Sequence, residues 1–203
     1  EYPMPLVLVT DDRHADYDIE RRLLGENGID LEIHDFRKLS EAIPHFARAD
    51  GLLLNLFPLD AAAIAALPRC RVISRYGTGY DNVDVPAAER AGIWVARVPD
   101  YATEDASDHA LALLLAAARQ VVSRDQLVRG GRWNAAPVAP VRRLAGSTLG
   151  IAGLGRVGKA MLRKVAGLGF ARVLVYDPHK TSQTVRSHGA RQVELDTFLR
   201  ECD

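Results

Sequence analysis

Cysteine is nearly absent from this chain. Cys70 and Cys202 are the two in 203 residues, which excludes a disulfide scaffold and makes a reducing, cytoplasmic compartment the expectation. They lie too far apart for a metal or redox spacing. A charge excess of either sign is missing too: Lys plus Arg is 26 and Asp plus Glu is 26. A protein held to nucleic acid through phosphates carries a basic surplus, so no direct nucleic-acid partner is expected. Long apolar runs are lacking. The longest strongly apolar helical stretch, Ala110–Ala118 between His109 and Arg119, falls short of the roughly 20 residues of a membrane span, and no membrane partner is expected. The chain starts at Glu1, without the basic and then apolar opening of a secretory signal.

What is present is ordinary globular composition, 48% apolar and 26% charged, enough apolar surface to offset the entropy of folding. At about 150 residues per domain, the length suits one large domain or two small ones. Short β-rich runs alternate with helix-like segments. Leu6–Val9, Leu31–Ile33, Gly51–Leu54, Arg71–Ser74 and Ile93–Ala96 read as strands. Helices are expected near Asp16–Asn27, Ser40–Ala47, Asp60–Leu67 and Val85–Ala91. This βαβα rhythm predicts an α/β fold with a parallel sheet covered on both faces. After Pro99 the composition shifts. Residues from about Thr103 to Val128 read as one long helix, with Thr103 as N-cap, Glu104 and Asp105 in the first turn, and Gly130-Gly131 as its stop. Its centre is apolar nearly all round, which predicts burial between layers or at a subunit contact. Ala135–Val141, with Pro137 and Pro140, reads as an irregular connection.

The most informative segment is Thr148-Leu149-Gly150-Ile151-Ala152-Gly153-Leu154-Gly155-Arg156-Val157-Gly158. Gly153, Gly155 and Gly158 spell G-x-G-x-x-G, a weak pattern alone. Here a strand precedes it, an apolar-spaced helix (Val157, Met161, Leu162, Val165) follows, and a second strand, Arg172–Tyr176, ends at Asp177. That is the setting of a dinucleotide fingerprint. Gly153 permits the tight turn, Gly155 lets backbone approach a pyrophosphate, and Gly158 lets helix pack on strand. The helix N-terminus offers N–H groups to phosphate oxygens. Asp177 accepts from the adenosine ribose hydroxyls and repels a 2′-phosphate, favouring NAD over NADP, with Lys180 nearby as a weaker opposing influence. A Gly-rich turn that binds nothing and a methyltransferase-like fold binding an adenosyl cofactor are the other readings of this segment alone.

A second segment separates these readings. Arg75-Tyr76-Gly77-Thr78-Gly79-Tyr80-Asp81-Asn82-Val83-Asp84 runs on through Ala87-Ala88 and Gly92-Ile93 to Val98-Pro99-Asp100-Tyr101, followed by Asp108-His109-Ala110-Leu111. With the fingerprint, it closely resembles the D-isomer-specific 2-hydroxyacid dehydrogenases, whose pattern is shared by phosphoglycerate dehydrogenases, glyoxylate reductases and the C-terminal-binding-protein corepressors. The resemblance covers nearly everything from about Ala49 onward; the first 48 residues fit in arrangement rather than motif. It implies a flavodoxin-like substrate domain over residues 1–98 and the N-terminal part of a Rossmann domain over 99–203, with the active site in the cleft between them and homodimerisation through the coenzyme domains. Carried over residue by residue, it puts Thr78, Arg156, Val157 and Asp177 with the three fingerprint glycines on the cofactor. The backbone of Tyr76, Gly77 and Thr78 falls at the substrate carboxylate, with Asn55 and Leu56 on a strand-end loop facing the substrate. The glycine-rich turn at Gly77-Thr78-Gly79 is itself able to form an anion nest. An ordinary tight turn, with Asp81 as a cap, is the plainer reading. Asp84 reads as an N-cap.

Two departures stand out. Arg97 occupies a position where the family often has Asn, and Asn55-Leu56-Phe57 differs from the Arg/Ser-containing loop common in phosphoglycerate enzymes. The family's catalytic Arg, Glu and His lie beyond the point matching Asp203, so no catalytic residue is assigned and the chain is expected to be part of a longer one. His179 belongs to the adenosine end, His109 is expected to be packed or at a subunit contact, and His188 to be solvated. His14, His34 and His45 show no partner spacing, and no metal set is expected. Trp133 is expected to anchor the connection. The expectation is an NAD-dependent oxidoreductase interconverting a small D-2-hydroxy acid and its 2-oxo acid. An NAD-responsive, corepressor-like binding protein and an inactive fragment stay open as alternatives.

Overall fold

The computed structural model describes residues 4–133 and 140–203; most of the Ala135–Val141 connection lies outside them. The chain divides into two compact units, Glu1–Tyr101 and Ala102–Asp203, a boundary just C-terminal of the expected 98/99.

Unit 1 holds five parallel strands: β1 (Leu6–Val9), β2 (Asp30–Ile33), β3 (Gly51–Leu54), β4 (Val72–Arg75) and β5 (Trp94–Arg97). Their order is β2-β1-β3-β4-β5, the flavodoxin-like order. Leu8 pairs with Leu52, and Leu52 with Ile73, placing the most apolar residues in one central row. Leu8 is 0% and Val9 1% exposed. Successive strand residues point to opposite faces, so both faces of the sheet are covered, as the continuous apolar runs require. The covering helices are α1 (Asp18–Gly25), α2 (Leu39–Phe46), α3 (Ala61–Ala65) and α4 (Val85–Arg90). Asp60 and Asp84 cap α3 and α4 by accepting from the N–H of Ala63 (2.8 Å) and Ala87 (2.9 Å). Phe46, fully buried, seats α2 on the core beside Phe36 and Phe57. The edge strand β5 leaves Trp94 exposed.

Unit 2 carries β6 (Thr148–Ala152), β7 (Arg172–Tyr176) and β8 (Arg191–Gln192), parallel and in that order. Its helices are α5 (Thr103–Ala118), α6 (Val121–Arg129), α7 (Arg156–Val165), α8 (Ser182–Ser187) and α9 (Leu195–Glu201). The free edge of β6 meets Asp203, whose N–H donates to Thr148 O at 3.1 Å and whose carboxylate accepts from Thr148 N–H at 2.9 Å. A cavity of about 690 Å³ lies along this edge, lined by Leu114, Leu149, Phe170, Phe198 and Cys202 among others.

Two expectations for the long helix need correction. It is two helices, broken at Gln120, which takes a left-handed φ of 54°. The break has no glycine or proline to announce it. The N-cap position falls on Ala102 and no side chain caps the helix, so Thr103 is its first residue. Of the apolar centre, expected between layers or at a subunit contact, Ala110, Leu111 and Leu114 pack on the unit's core while Leu113 is 58% exposed. Lys164 on α7 holds α5 in place. Its ammonium donates to Glu104 O (2.9 Å), Ser107 Oγ (2.7 Å) and Asp108 Oδ1 (2.6 Å).

Candidate functional site

The fingerprint forms a strand–turn–helix at the carboxyl end of β6. Gly153 has φ +89°, a conformation that glycine adopts without strain. Gly158 sits so close to the turn that an added Cβ would overlap the Gly153 carbonyl oxygen and lie 3.3 Å from its carbon. These two glycines are demanded by the fold itself. Gly155 is different. Its φ of −78° is open to any residue, and an added Cβ would meet no protein atom within 4 Å. It is the N-cap residue of α7, and no side chain caps that helix. The first N–H groups of an α-helix lack intrahelical acceptors and carry the positive end of its dipole. Bare backbone, open space and uncapped donors therefore coincide at one helix start. Arg156 and Val157, both exposed, open the helix.

Asp177 stands at the end of β7 and is 7% exposed. Its carboxylate accepts from Leu154 N–H (2.8 Å) and His179 N–H (2.9 Å). These two backbone donors hold the carboxyl below the usual aspartate range. The first bond ties β7 to the fingerprint turn, so Asp177 shapes the loop as well as charging it. Each oxygen keeps a further lone pair for a hydroxyl donor.

In unit 1 the loop after β4 is built around Gly77, at φ +145°. Tyr76 N–H donates to Leu54 O (2.7 Å) and Gly77 N–H to Arg75 O (2.9 Å). Of the three backbone positions expected to meet a carboxylate, two thus have their N–H engaged, while among the described residues those of Thr78 and Gly79 are not. The carbonyls of the loop are gripped by cations. Arg75 Nη1 donates to Tyr76 O (3.3 Å), and Arg97 Nη1 to Thr78 O (2.9 Å), with the Arg97 guanidinium 5.1 Å from the Tyr80 ring centroid. The Thr78 hydroxyl donates to Val98 O (3.1 Å). The Tyr76 hydroxyl donates to Glu20 Oε1 (2.9 Å), and burial beside that carboxylate pushes its pKa up.

Asn55 and Leu56 follow β3. Their N–H groups are both taken by one residue the sequence reading passed over, Asp11, at 2.9 and 2.6 Å. Asp11 is 3% exposed and also accepts from the Thr10 hydroxyl (2.8 Å). The signal for it was its place two residues after an apolar strand, at the carboxyl end where ligands collect in parallel sheets. Asn55 O accepts from Arg75 Nε (3.1 Å) and Asn82 Nδ2 (3.3 Å). Asn55 is half-buried and Leu56 is exposed.

The histidines divide. His188 is exposed, as expected, and His109 is exposed rather than packed within its unit. His14 lies edge-on to Tyr76, centroids 4.7 Å apart. His34 and His45, which show no partner spacing along the chain, have spatial neighbours. Glu32, His34 and His45 have their ligand-capable atoms within 4.8 Å of one another, brought together by pairing a strand with a helix that linear spacing does not reveal.

The chain matches the family described as D-isomer specific 2-hydroxyacid dehydrogenase, catalytic domain, over residues 7–195. It is 41% identical over 150 residues to a glyoxylate reductase of Korarchaeum cryptofilum, covering 72% of this chain and 45% of the relative. It is 36% identical over 202 residues to a glyoxylate reductase of Pyrococcus furiosus, covering 90% and 59%. The crystal structure of a glyoxylate reductase from Paecilomyes thermophila superposes with a TM-score of 0.84 at 25% identity, covering 99% of this chain and 63% of that one. The chain thus spans about half the length of the curated relatives it matches. By motif, strand order and sequence, it belongs to the D-isomer-specific 2-hydroxyacid dehydrogenase family.

Proposed function

We propose that the protein is an NAD-dependent oxidoreductase that interconverts a small D-2-hydroxy acid and its 2-oxo acid. The observation that carries this is Gly155, a glycine that the fold does not require, at the uncapped start of α7. Bare backbone there suits a pyrophosphate approaching the helix N-terminus. Gly153, Gly158, Arg156 and Val157 complete that turn, and Asp177 presents an ionised carboxylate at the end of the neighbouring strand. A fixed negative charge there opposes a 2′-phosphate, so NAD is preferred over NADP.

When bound, the nicotinamide supplies or accepts the hydride. The chain's own residues bind and orient. Among the described residues the N–H groups of Thr78 and Gly79 meet no backbone acceptor, and they suit a carboxylate. Arg75 and Arg97 hold the neighbouring carbonyls and add positive charge beside an anionic substrate. The Asn55 side chain and Leu56 shape the adjoining loop, and Thr78, like Tyr76 and Gly77, is assigned here by its match to the family pattern. No residue of this chain is assigned as the catalytic acid or base.

A homodimer through the coenzyme-binding unit accords with exposed Leu113, Val122 and Trp133 on that unit. A cytoplasmic location accords with two free thiols. Among the described residues no helix is long and apolar enough to cross a membrane.

The test is a panel of 2-oxo acids, glyoxylate included, with NADH and with NADPH, followed by loss of reduced-cofactor absorbance. Turnover of at least one acid with NADH preferred is expected. NADH binding with no turnover across the panel overturns the enzyme reading in favour of an NAD-responsive binding protein.

A further inference from the structure

A further cluster of ligand-capable side chains lies in unit 1. Glu32 lies on the edge strand β2, and His34 follows two residues later, its N–H continuing the ladder to Val9 O at 3.0 Å. Residues two apart on a strand share a face. His45 comes from the last turn of α2. His34 Nε2 is 3.1 Å from Glu32 Oε2, and the two imidazole centroids are 4.3 Å apart. Both rings rest on Phe36, stacked with His34 at 4.7 Å and 5.2 Å from His45. Phe36 is in turn held by Phe46 and Phe57. The rings are thus fixed from the core side by packing, which is what a preorganised ligand set requires.

A cation already faces these groups. Arg48 Nη1 donates to Glu32 Oε1 at 2.7 Å, Nη2 donates to Glu32 Oε2, and Nη2 also lies 3.2 Å from His45 Nδ1. The carboxylate and one imidazole therefore converge on a single positive group, at the end of an exposed arginine side chain.

We propose that Glu32, His34 and His45 form a binding site for a divalent transition ion of the zinc class, which takes the place of the Arg48 guanidinium. Two imidazole nitrogens and one carboxylate oxygen are a borderline-soft set that suits zinc over calcium or magnesium. Bonds of about 2.0–2.2 Å put tetrahedral ligand atoms roughly 3.3–3.6 Å apart. Binding would draw the ligand atoms, now within 4.8 Å of one another, to that spacing. A fourth position stays open to water. The bound ion would clamp α2 to the edge strand β2, and its role is structural.

The experiment is a competition titration of the protein with zinc chloride against a chromophoric chelator, with cobalt absorption as a second readout. One tight equivalent is expected, with a cobalt spectrum of low-coordinate nitrogen and oxygen ligands. His34→Gln and His45→Gln should each weaken binding at least about tenfold, with folding checked by circular dichroism. Arg48→Gln should bind several-fold more tightly, because the competing cation is gone. The absence of a saturable equivalent overturns the proposal. So does affinity unchanged in both histidine variants, which would place the ion on other side chains, or affinity lost in Arg48→Gln.

Discussion

Gly155 and Gly158 are three residues apart in one motif, and the structure predicts opposite consequences for replacing them with alanine. At Gly155 the backbone is in an ordinary region and the new methyl touches nothing within 4 Å. Restricting the unfolded chain favours Ala by about 0.4–1 kcal/mol, while glycine is the better N-cap by a similar amount. The two offset, and Gly155→Ala should leave stability within about 1 kcal/mol of wild type. If a pyrophosphate approaches this backbone, the methyl intrudes on it. An overpacking penalty of about 1–3 kcal/mol weakens binding roughly 5- to 150-fold. At Gly158 the methyl meets a backbone carbonyl that cannot rotate away. Overlap with backbone puts the overpacking cost at the upper end of about 1–3 kcal/mol, alanine's helix preference recovers about 1 kcal/mol, and a net loss of about 2 kcal/mol is expected. The assay is NADH titration by fluorescence beside urea unfolding for both variants. Gly155→Ala that is fully folded and binds NADH as wild type does would refute the assignment of this turn to a dinucleotide. Gly158→Ala of unchanged stability would refute the packing account.

Asp177 contributes stability through a folded-state pKa held below its ordinary value. That contribution is present above about pH 4 and is lost as pH falls through the lowered value; Asp177→Asn should flatten the acid limb of an unfolding-versus-pH curve and reduce the preference for NADH over NADPH. Arg97→Asn frees the Thr78 carbonyl and removes a positive charge, so the KM for a 2-oxo acid should rise, most clearly at low salt. Phe46, fully buried among Phe36 and Phe57, should cost about 3–5 kcal/mol on truncation to Ala, read from the urea midpoint. Burial pushes the Cys70 thiol up to about 11, so in the native protein at pH 8 it should resist iodoacetamide, and rapid labelling would contradict its packing.

Much of this protein is decided locally. The runs Leu6–Val9 and Gly51–Leu54 are too apolar to be anything but strands covered on both faces, and Asp60 and Asp84 mark their helix starts by side-chain chemistry that acts over three residues. The fingerprint is legible for the same reason: a tight turn, a close helix and a bare backbone each demand glycine at a fixed offset. Nothing local marks the break at Gln120, since a left-handed residue without glycine is held only by what surrounds it. Nor does the sequence show that Asp11 takes the N–H groups of Asn55 and Leu56, more than forty positions away, for strand order alone brings those loops together. The same holds for Glu32, His34 and His45. Spacing within one element is readable from the chain, but a ligand set divided between an edge strand and a helix exists only once packing on Phe36 has joined them.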